Sequence, residues 1–308
     1  MVESNSIRSI DNISLTNGVR SMRSVHPKLH SIAHWARQND DIRALLVTGS
    51  LARHDDTTDQ FSDLDLQIIA QDPTRYTAND NWLHDFDDVW IRHPLNQDLP
   101  YRLVWFRGGI KVDFQFLNVD DFYPVITDAP LPDEYMRGFH VIIDKDALFR
   151  NLAPSPRVFS QPPPPTVATL LETINEFWFE AIHVAQFIRR REFWVVKHRD
   201  WTMKGNLLRL LEWHAHCTRK EPVNTWQLGR RISSWADNNA TESLTRIWGS
   251  WETQSLWEAL FVQLALFRRL TLELAQALDY EYDDKTHQEI NNYIHQLHLK
   301  DTEAAIKD

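Results

Sequence analysis

Apolar side chains mix helical and strand periods up to a run of prolines and keep a helical period after it, and that shift divides the chain. Over residues 25–38, Leu29, Ile32, Ala33 and Trp35 recur at helical spacing until Asn39-Asp40-Asp41 ends the pattern. Residues 42–48 form a short apolar run that stops at Gly49-Ser50, the pattern of a buried strand entering a tight turn. In residues 64–70, Leu64, Leu66 and Ile68 alternate with Asp65 and Gln67, which predicts a second strand. Residues 101–106 and 111–117 flank Arg107-Gly108-Gly109-Ile110 and predict a hairpin; residues 141–143 suggest one more strand. Beyond Gln161-Pro162-Pro163-Pro164-Pro165 the period becomes helical throughout. Helices are expected over 166–191, 202–217, 225–236 and 251–278, the last with Leu256, Leu260, Leu264, Phe267 and Leu274 along one side.

Four consecutive prolines continue neither a helix nor a central strand, so 161–165 reads as a linker. The expected organisation is a tail over 1–24, an α/β domain over 25–160 and an all-α domain over 166–300. A ligand cleft between sheet and bundle would be a common arrangement. Nine of the 13 tryptophans follow the proline run and are expected to fill a helical core. No repeat of 20–50 residues is visible.

Composition narrows the classes. The chain has 308 residues, of which 43% are hydrophobic and 25% charged, an ordinary globular balance. Its single cysteine, Cys217, excludes an intrachain disulfide framework and a cysteine-built metal site. No apolar run is long enough to cross a membrane, and residues 1–14 are polar without a leader-like apolar stretch, so a cytoplasmic protein is expected. The 33 basic and 43 acidic residues give a net charge of −10. That balance argues against nucleic acid as the partner and favours a cationic small molecule.

The candidate chemistry sits where two strands begin. Asp63 and Asp65 are two apart in an extended segment, so both carboxylates project to one side. Adjacent anions repel unless a cation lies between them, and Mg²⁺ takes carboxylate and phosphate oxygens together. Gly49 permits close backbone approach, and the Ser50 hydroxyl can hold phosphate oxygens. A third acid, Asp113, lies in the hairpin strand, where antiparallel pairing could bring it beside the first two. Three carboxylates facing a Gly-Ser turn have the makings of a nucleotidyl-transfer site, although an isolated Asp-x-Asp is more often an exposed loop pair.

The same residues resemble a known family. Gly49-Ser50-Leu51-Ala52-Arg53 followed by Asp59-Gln60-Phe61-Ser62-Asp63-Leu64-Asp65-Leu66 looks like the signature of the aminoglycoside 6-adenylyltransferases, also called streptomycin adenylyltransferases. Lys111-Val112-Asp113, Ile143-Asp144-Lys145-Asp146, Asn175-Glu176-Phe177-Trp178, Asn206-Leu207-Leu208-Arg209 and Leu266-Phe267-Arg268 resemble its later segments, in order, from about residue 28 to 282. Leu51 stands where arginine is common, Gly205 where proline is expected, and residues 195–203 match poorly. The resemblance implies an α+β fold: a polymerase-beta-like mixed sheet with helices, then a helical bundle that binds substrate. It implies transfer of AMP from ATP, with Mg²⁺, to a hydroxyl of an aminoglycoside such as streptomycin, releasing pyrophosphate.

Under that implication Asp63, Asp65 and Asp113 are catalytic and hold the metal, Asp113 as ligand or as general base. Gly49, Ser50, Arg53 and Lys204 become candidates for the nucleotide, Ser50, Arg53 and Lys204 for its triphosphate. Glu172, Glu176 and Glu180 share a helix face at i, i+4 and i+8, an anionic wall for an ammonium or guanidinium group or simply a solvated face. Glu172 and Glu176 are the candidate acceptor contacts. The enzyme is expected to act as a monomer, away from membranes and nucleic acid. Alternatives are the same chemistry on a lincosamide, another metabolite or a protein side chain, or a nucleotide-binding module without catalysis. His198-Arg199-Asp200 is not followed by a kinase-like spacing, and His214-Ala215-His216 reads as a helix-surface pair.

Overall fold

A computed structural model describes residues 26–53, 58–96, 98–127, 131–152, 155–159 and 161–305. The expected tail over 1–24 lies outside these residues. The chain forms two compact units, Met1–Ser160 and Gln161–Asp308.

The first unit is built on six strands: β1 (Ile42–Val47), β2 (Leu64–Ala70), β3 (Val89–His93), β4 (Tyr101–Phe106), β5 (Ile110–Asn118) and β6 (His140–Asp144), in the order β3-β4-β5-β2-β1-β6. All neighbours are antiparallel except β2 and β5, which run parallel. β1 and β2 are buried along nearly their whole length because both have strands on either side and cover on both faces. One face carries Leu64, Leu66, Ile68, Val104, Phe106, Val112, Phe114 and Phe116. It packs against α1 (Leu29–Gln38), which contributes Leu29, Ile32, Ala33 and Ala36 at the spacing expected of its apolar stripe. On the other face Ala44, Leu46 and Ile69 meet Phe122 and Ile126 of α4 (Val119–Thr127) and Tyr135 of α5 (Asp133–Arg137). Two short helices, α2 (Gly49–Arg53) and α3 (Thr74–Thr77), follow β1 and β2. The predicted hairpin forms, with Phe106 opposite Ile110 and both turn glycines at positive φ. β3 was not foreseen: it is an edge strand whose Trp90 and Ile91 are exposed, so its sequence lacks a buried face.

The second unit is helical. α6 (Val167–Arg189) starts where Thr166 accepts the backbone N–H of Thr169 at 3.1 Å, a side-chain cap. α7 (Phe193–Thr218) and α10 (Thr253–Ala277) pack with it, and the rings of Phe177 and Phe267 stack at 3.6 Å in the core. α11 (Lys285–Ala305) is tied on by Asp301, which accepts from Arg191 and from the Trp257 indole. The four prolines belong to this unit, with Tyr280 donating to the Pro165 carbonyl at 2.9 Å.

Three expectations fail here. Residues 225–236 do not form one helix: Leu228, Gly229 and Arg231 all have positive φ, leaving α8 (Ile232–Trp235) and then α9 (Asn238–Leu244). The tryptophans do not all fill the core: Trp178, Trp235 and Trp257 are buried, but Trp194, Trp201, Trp226, Trp248 and Trp251 are exposed. Four of these lie near one another in pairs, Trp194 with Trp251 at 6.4 Å and Trp201 with Trp248 at 6.1 Å. His214 is buried and pairs with Glu273 at 2.8 Å, so it is not a surface histidine.

Candidate active site

The sheet assembles the three aspartates by register. Asp65 lies on β2 directly opposite Asp113 on β5, and Asp63 precedes Asp65 by two residues. Pairing is parallel rather than antiparallel as the sequence suggested; the chain passes through β3 and β4 before β5 returns beside β2. Alternation then places Leu64 and Val112 in the core and turns Asp65 and Asp113 to the opposite face. One oxygen from each of Asp63, Asp65 and Asp113 can be chosen so that all lie within 4.8 Å of one another.

The Gly-Ser turn closes on this cluster. Thr48 donates its backbone N–H to the Asp65 carbonyl at 3.0 Å, carrying the ladder past the end of β1. Gly49 follows at φ +64°, and a Cβ there would lie 1.7 Å from Asp65 Oδ2. Only glycine fits, both for backbone angle and for space. Ser50 is buried, and its Oγ has no partner. Arg53, half-buried, ends the same short helix.

One cation is built into the cluster. Lys111 Nζ donates to Asp63 Oδ2 and to Asp113 Oδ2, both at 2.7 Å. Burial opposes its charge, but the hydrogen bonds to Asp113 and Asp63 outweigh that and raise its pKa. Burial, then the charges of Asp63 and Asp113, push the Asp65 carboxyl up to about 7 against the opposing pull of Lys111. Burial also raises Asp113 despite Lys111. Asp113 Oδ1 is buried without a partner. His26, which the sequence did not single out, lies alongside; burial lowers it to about 4, and its ring meets the Lys111 backbone. Lys111 was legible only as part of a family-like strand, because its second partner is 48 residues away.

These residues suit a divalent cation. The donors are hard oxygens, they repel one another as they stand, and one of them, Asp113 Oδ1, is buried and unsatisfied. Asp63, Asp65 and Asp113 would hold the ion.

Lys204 belongs to the second unit. It is buried on α7, where Nζ donates to Asp200 at 2.5 Å and to Gln263 at 3.2 Å and lies 4.7 Å from the centre of the Trp248 ring. Burial lowers its pKa. Glu172 and Glu176 are exposed on α6 and line a groove of about 780 Å³ with Leu171, Asn175, Phe179 and Arg209. Glu180, third in the predicted row, is taken up by Arg199 at 2.9 Å.

Residues 22–297 match the model of the streptomycin adenylyltransferase family. The chain belongs to this family. It is an enzyme of the adenylyltransferase class, and family membership implies a nucleotide co-substrate and a divalent metal. Among curated relatives, an aminoglycoside 6-adenylyltransferase of Bacillus subtilis is 23% identical over 274 residues, 85% of this chain and 94% of the relative. One of Campylobacter jejuni is 23% identical over 298 residues, 89% and 95% of the two chains. A crystal structure of an aminoglycoside 6-adenyltransferase from Bacillus subtilis aligns over 88% of this chain and 97% of its own, at 20% identity and a TM-score of 0.43. Among the described residues, no helix is long and apolar enough to cross a membrane.

Proposed function

We propose that this enzyme transfers AMP from Mg-ATP to a hydroxyl of an aminoglycoside, streptomycin being the first acceptor to test, and releases pyrophosphate. The observation that carries the reading is the carboxylate cluster pressed against Gly49 in a chain of this family. Bound Mg²⁺ would offset charge on the triphosphate. The chain's own residues then have separable tasks. Gly49 lets the turn lie against Asp65. Ser50, whose Oγ is buried and unpartnered, is the candidate donor to a phosphate oxygen, with Arg53 a further candidate on the same helix. Asp113 has a raised pKa and an unpartnered oxygen, which suits it to accept the proton of the attacking hydroxyl as well as to serve as a ligand. Lys204 remains a candidate only if it leaves Asp200 and Gln263.

For the acceptor, the support is the groove on α6, where Glu172 and Glu176 present two exposed carboxylates beside Asn175. Carboxylates of this kind suit ammonium and guanidinium groups, and Phe179 offers a ring face beside them. The chain's net charge of −10 adds attraction at longer range. The test is pyrophosphate release from Mg-ATP across aminoglycosides, lincosamides and no acceptor. Release stimulated by an aminoglycoside alone is expected. Release stimulated only by a neutral acceptor would move the substrate and leave the chemistry.

A further inference from the structure

Lys111 occupies the position that a divalent ion would contest. Its ammonium lies 2.7 Å from one oxygen of Asp63 and 2.7 Å from one of Asp113, and these two residues with Asp65 are the three that can hold an ion together. An ion coordinated by those carboxylates would compete with the ammonium for their lone pairs and would seat a second positive charge a few ångströms from it, so each cation opposes the other. Three carboxylates against one ammonium also leave the cluster short of positive charge.

We infer that Lys111 is an exchangeable internal cation, which holds the aspartate cluster together in the metal-free protein and withdraws when a divalent ion is bound. The inference rests on the proposed metal role of the three aspartates. Its structural requirements are present. Lys111 and Asp113 are two apart on β5 and so share a face. The lysine side chain is 25% exposed, so its head has a way out towards solvent. Its register partner on β4 is Trp105, at the solvent-exposed end of the same hairpin. A lysine head is a compact charge on a flexible stem, able to leave two acceptors without moving the backbone. Lys145, by comparison, donates to the backbone carbonyls of Ala36 and Asn39 and pins the C-terminal end of α1 rather than a carboxylate cluster. Lys111 is thus a positioning residue: it spaces the ligands before the ion arrives and sets how tightly they take it.

The test measures Mn²⁺ binding without nucleotide, by the electron paramagnetic resonance of free Mn²⁺, together with melting temperature in EDTA. Lys111→Met should bind Mn²⁺ at least about tenfold more tightly than the wild type, because no bound cation has to be displaced. It should melt lower in EDTA and recover with Mn²⁺. Lys111→Arg, which keeps a cation, should stay near the wild-type affinity. Lys111→Gln carries the same expectation as Lys111→Met if the methionine variant does not fold. Wild-type binding that Asp63→Asn abolishes, with Lys111→Met no tighter than wild type, would overturn the inference and leave the metal reading standing. No Mn²⁺ binding by any variant would overturn both.

Discussion

The molecule holds two sets of acids that look alike in sequence and are made differently. Asp63, Asp65 and Asp113 come together through parallel strand register and lie part-buried, and the first and last of them share the ammonium of Lys111. Glu172 and Glu176 come together through the period of one helix and stand exposed. In the first set burial, then the charges of Asp63 and Asp113, push the Asp65 carboxyl up to about 7. A cation is needed there. In the second set water already solvates the charges, so any hold on a cationic group depends on the ligand excluding that water and weakens with salt, whose screening length is about 8 Å at physiological strength.

The largest expected difference between the sets is catalytic. Asp63→Asn or Asp65→Asn should lower kcat by at least about 10²–10³-fold, by removing charge required in the transition state. For Asp65→Asn the metal-free fold should be as stable as before or more so, since a repelling charge is gone; Asp63→Asn also weakens the ion pair with Lys111 and should gain less. Near-normal turnover in either variant would remove these residues from the chemistry. Gly49→Ala should lose comparable activity for another reason, because its Cβ would displace the Asp65 carboxylate. It should also destabilise the fold by roughly 1–3 kcal/mol, because alanine is strained at that positive φ. Calorimetry on the two variants separates a chemical role from a spatial one.

Stability against pH sharpens the comparison next. The folded-state pKa of Asp65, about 7, lies above an unfolded value near ~3.9, so the native state holds the proton more tightly. The associated stability is full below about pH 4 and is lost as pH rises through about 7, by at most about 4 kcal/mol. In EDTA, Asp65→Asn should therefore gain on the wild type as pH is raised from 4 to 8, and saturating Mg²⁺ should reduce the gain. A difference in melting temperature that does not change with pH would mean that Asp65 is not under this strain.

The smallest effect belongs to the helix. Glu176→Gln should raise KM for a cationic acceptor roughly 10- to 100-fold, the scale of one charge-assisted hydrogen bond, with much less effect on KM for ATP. Glu172→Gln should do less, and both effects should shrink with salt. Unchanged acceptor kinetics in both variants would make this face a solvated one.

What could be read from the chain follows the same division. Asp63 and Asp65 were legible because a strand's period of two is local, and Asp113 because the Gly108-Gly109 hairpin fixed its strand. The parallel pairing of β2 with β5 was not, since it depends on a path through β3, an edge strand with no apolar alternation. Lys111 as a bridge was hidden for that reason: only the register brings Asp63 to it. In the helical unit, α7 begins at Phe193 rather than at 202 because exposed Trp194 and Trp201 blur its stripe. α11 was missed, its apolar positions being few and separated by polar residues. The groove on α6 was legible in its acids but not in the loss of Glu180 to Arg199, a contact between helices.

The most direct test of the central claim follows the α-phosphorus. Purified enzyme is given Mg²⁺, streptomycin and ATP labelled at the α-phosphate, and acceptor and pyrophosphate are separated. The label should appear in the acceptor with unlabelled pyrophosphate released in equal amount, and should vanish with EDTA and in Asp65→Asn. Label that never leaves ATP for any aminoglycoside, or transfer that survives loss of Asp65, would contradict adenylyl transfer at this cluster.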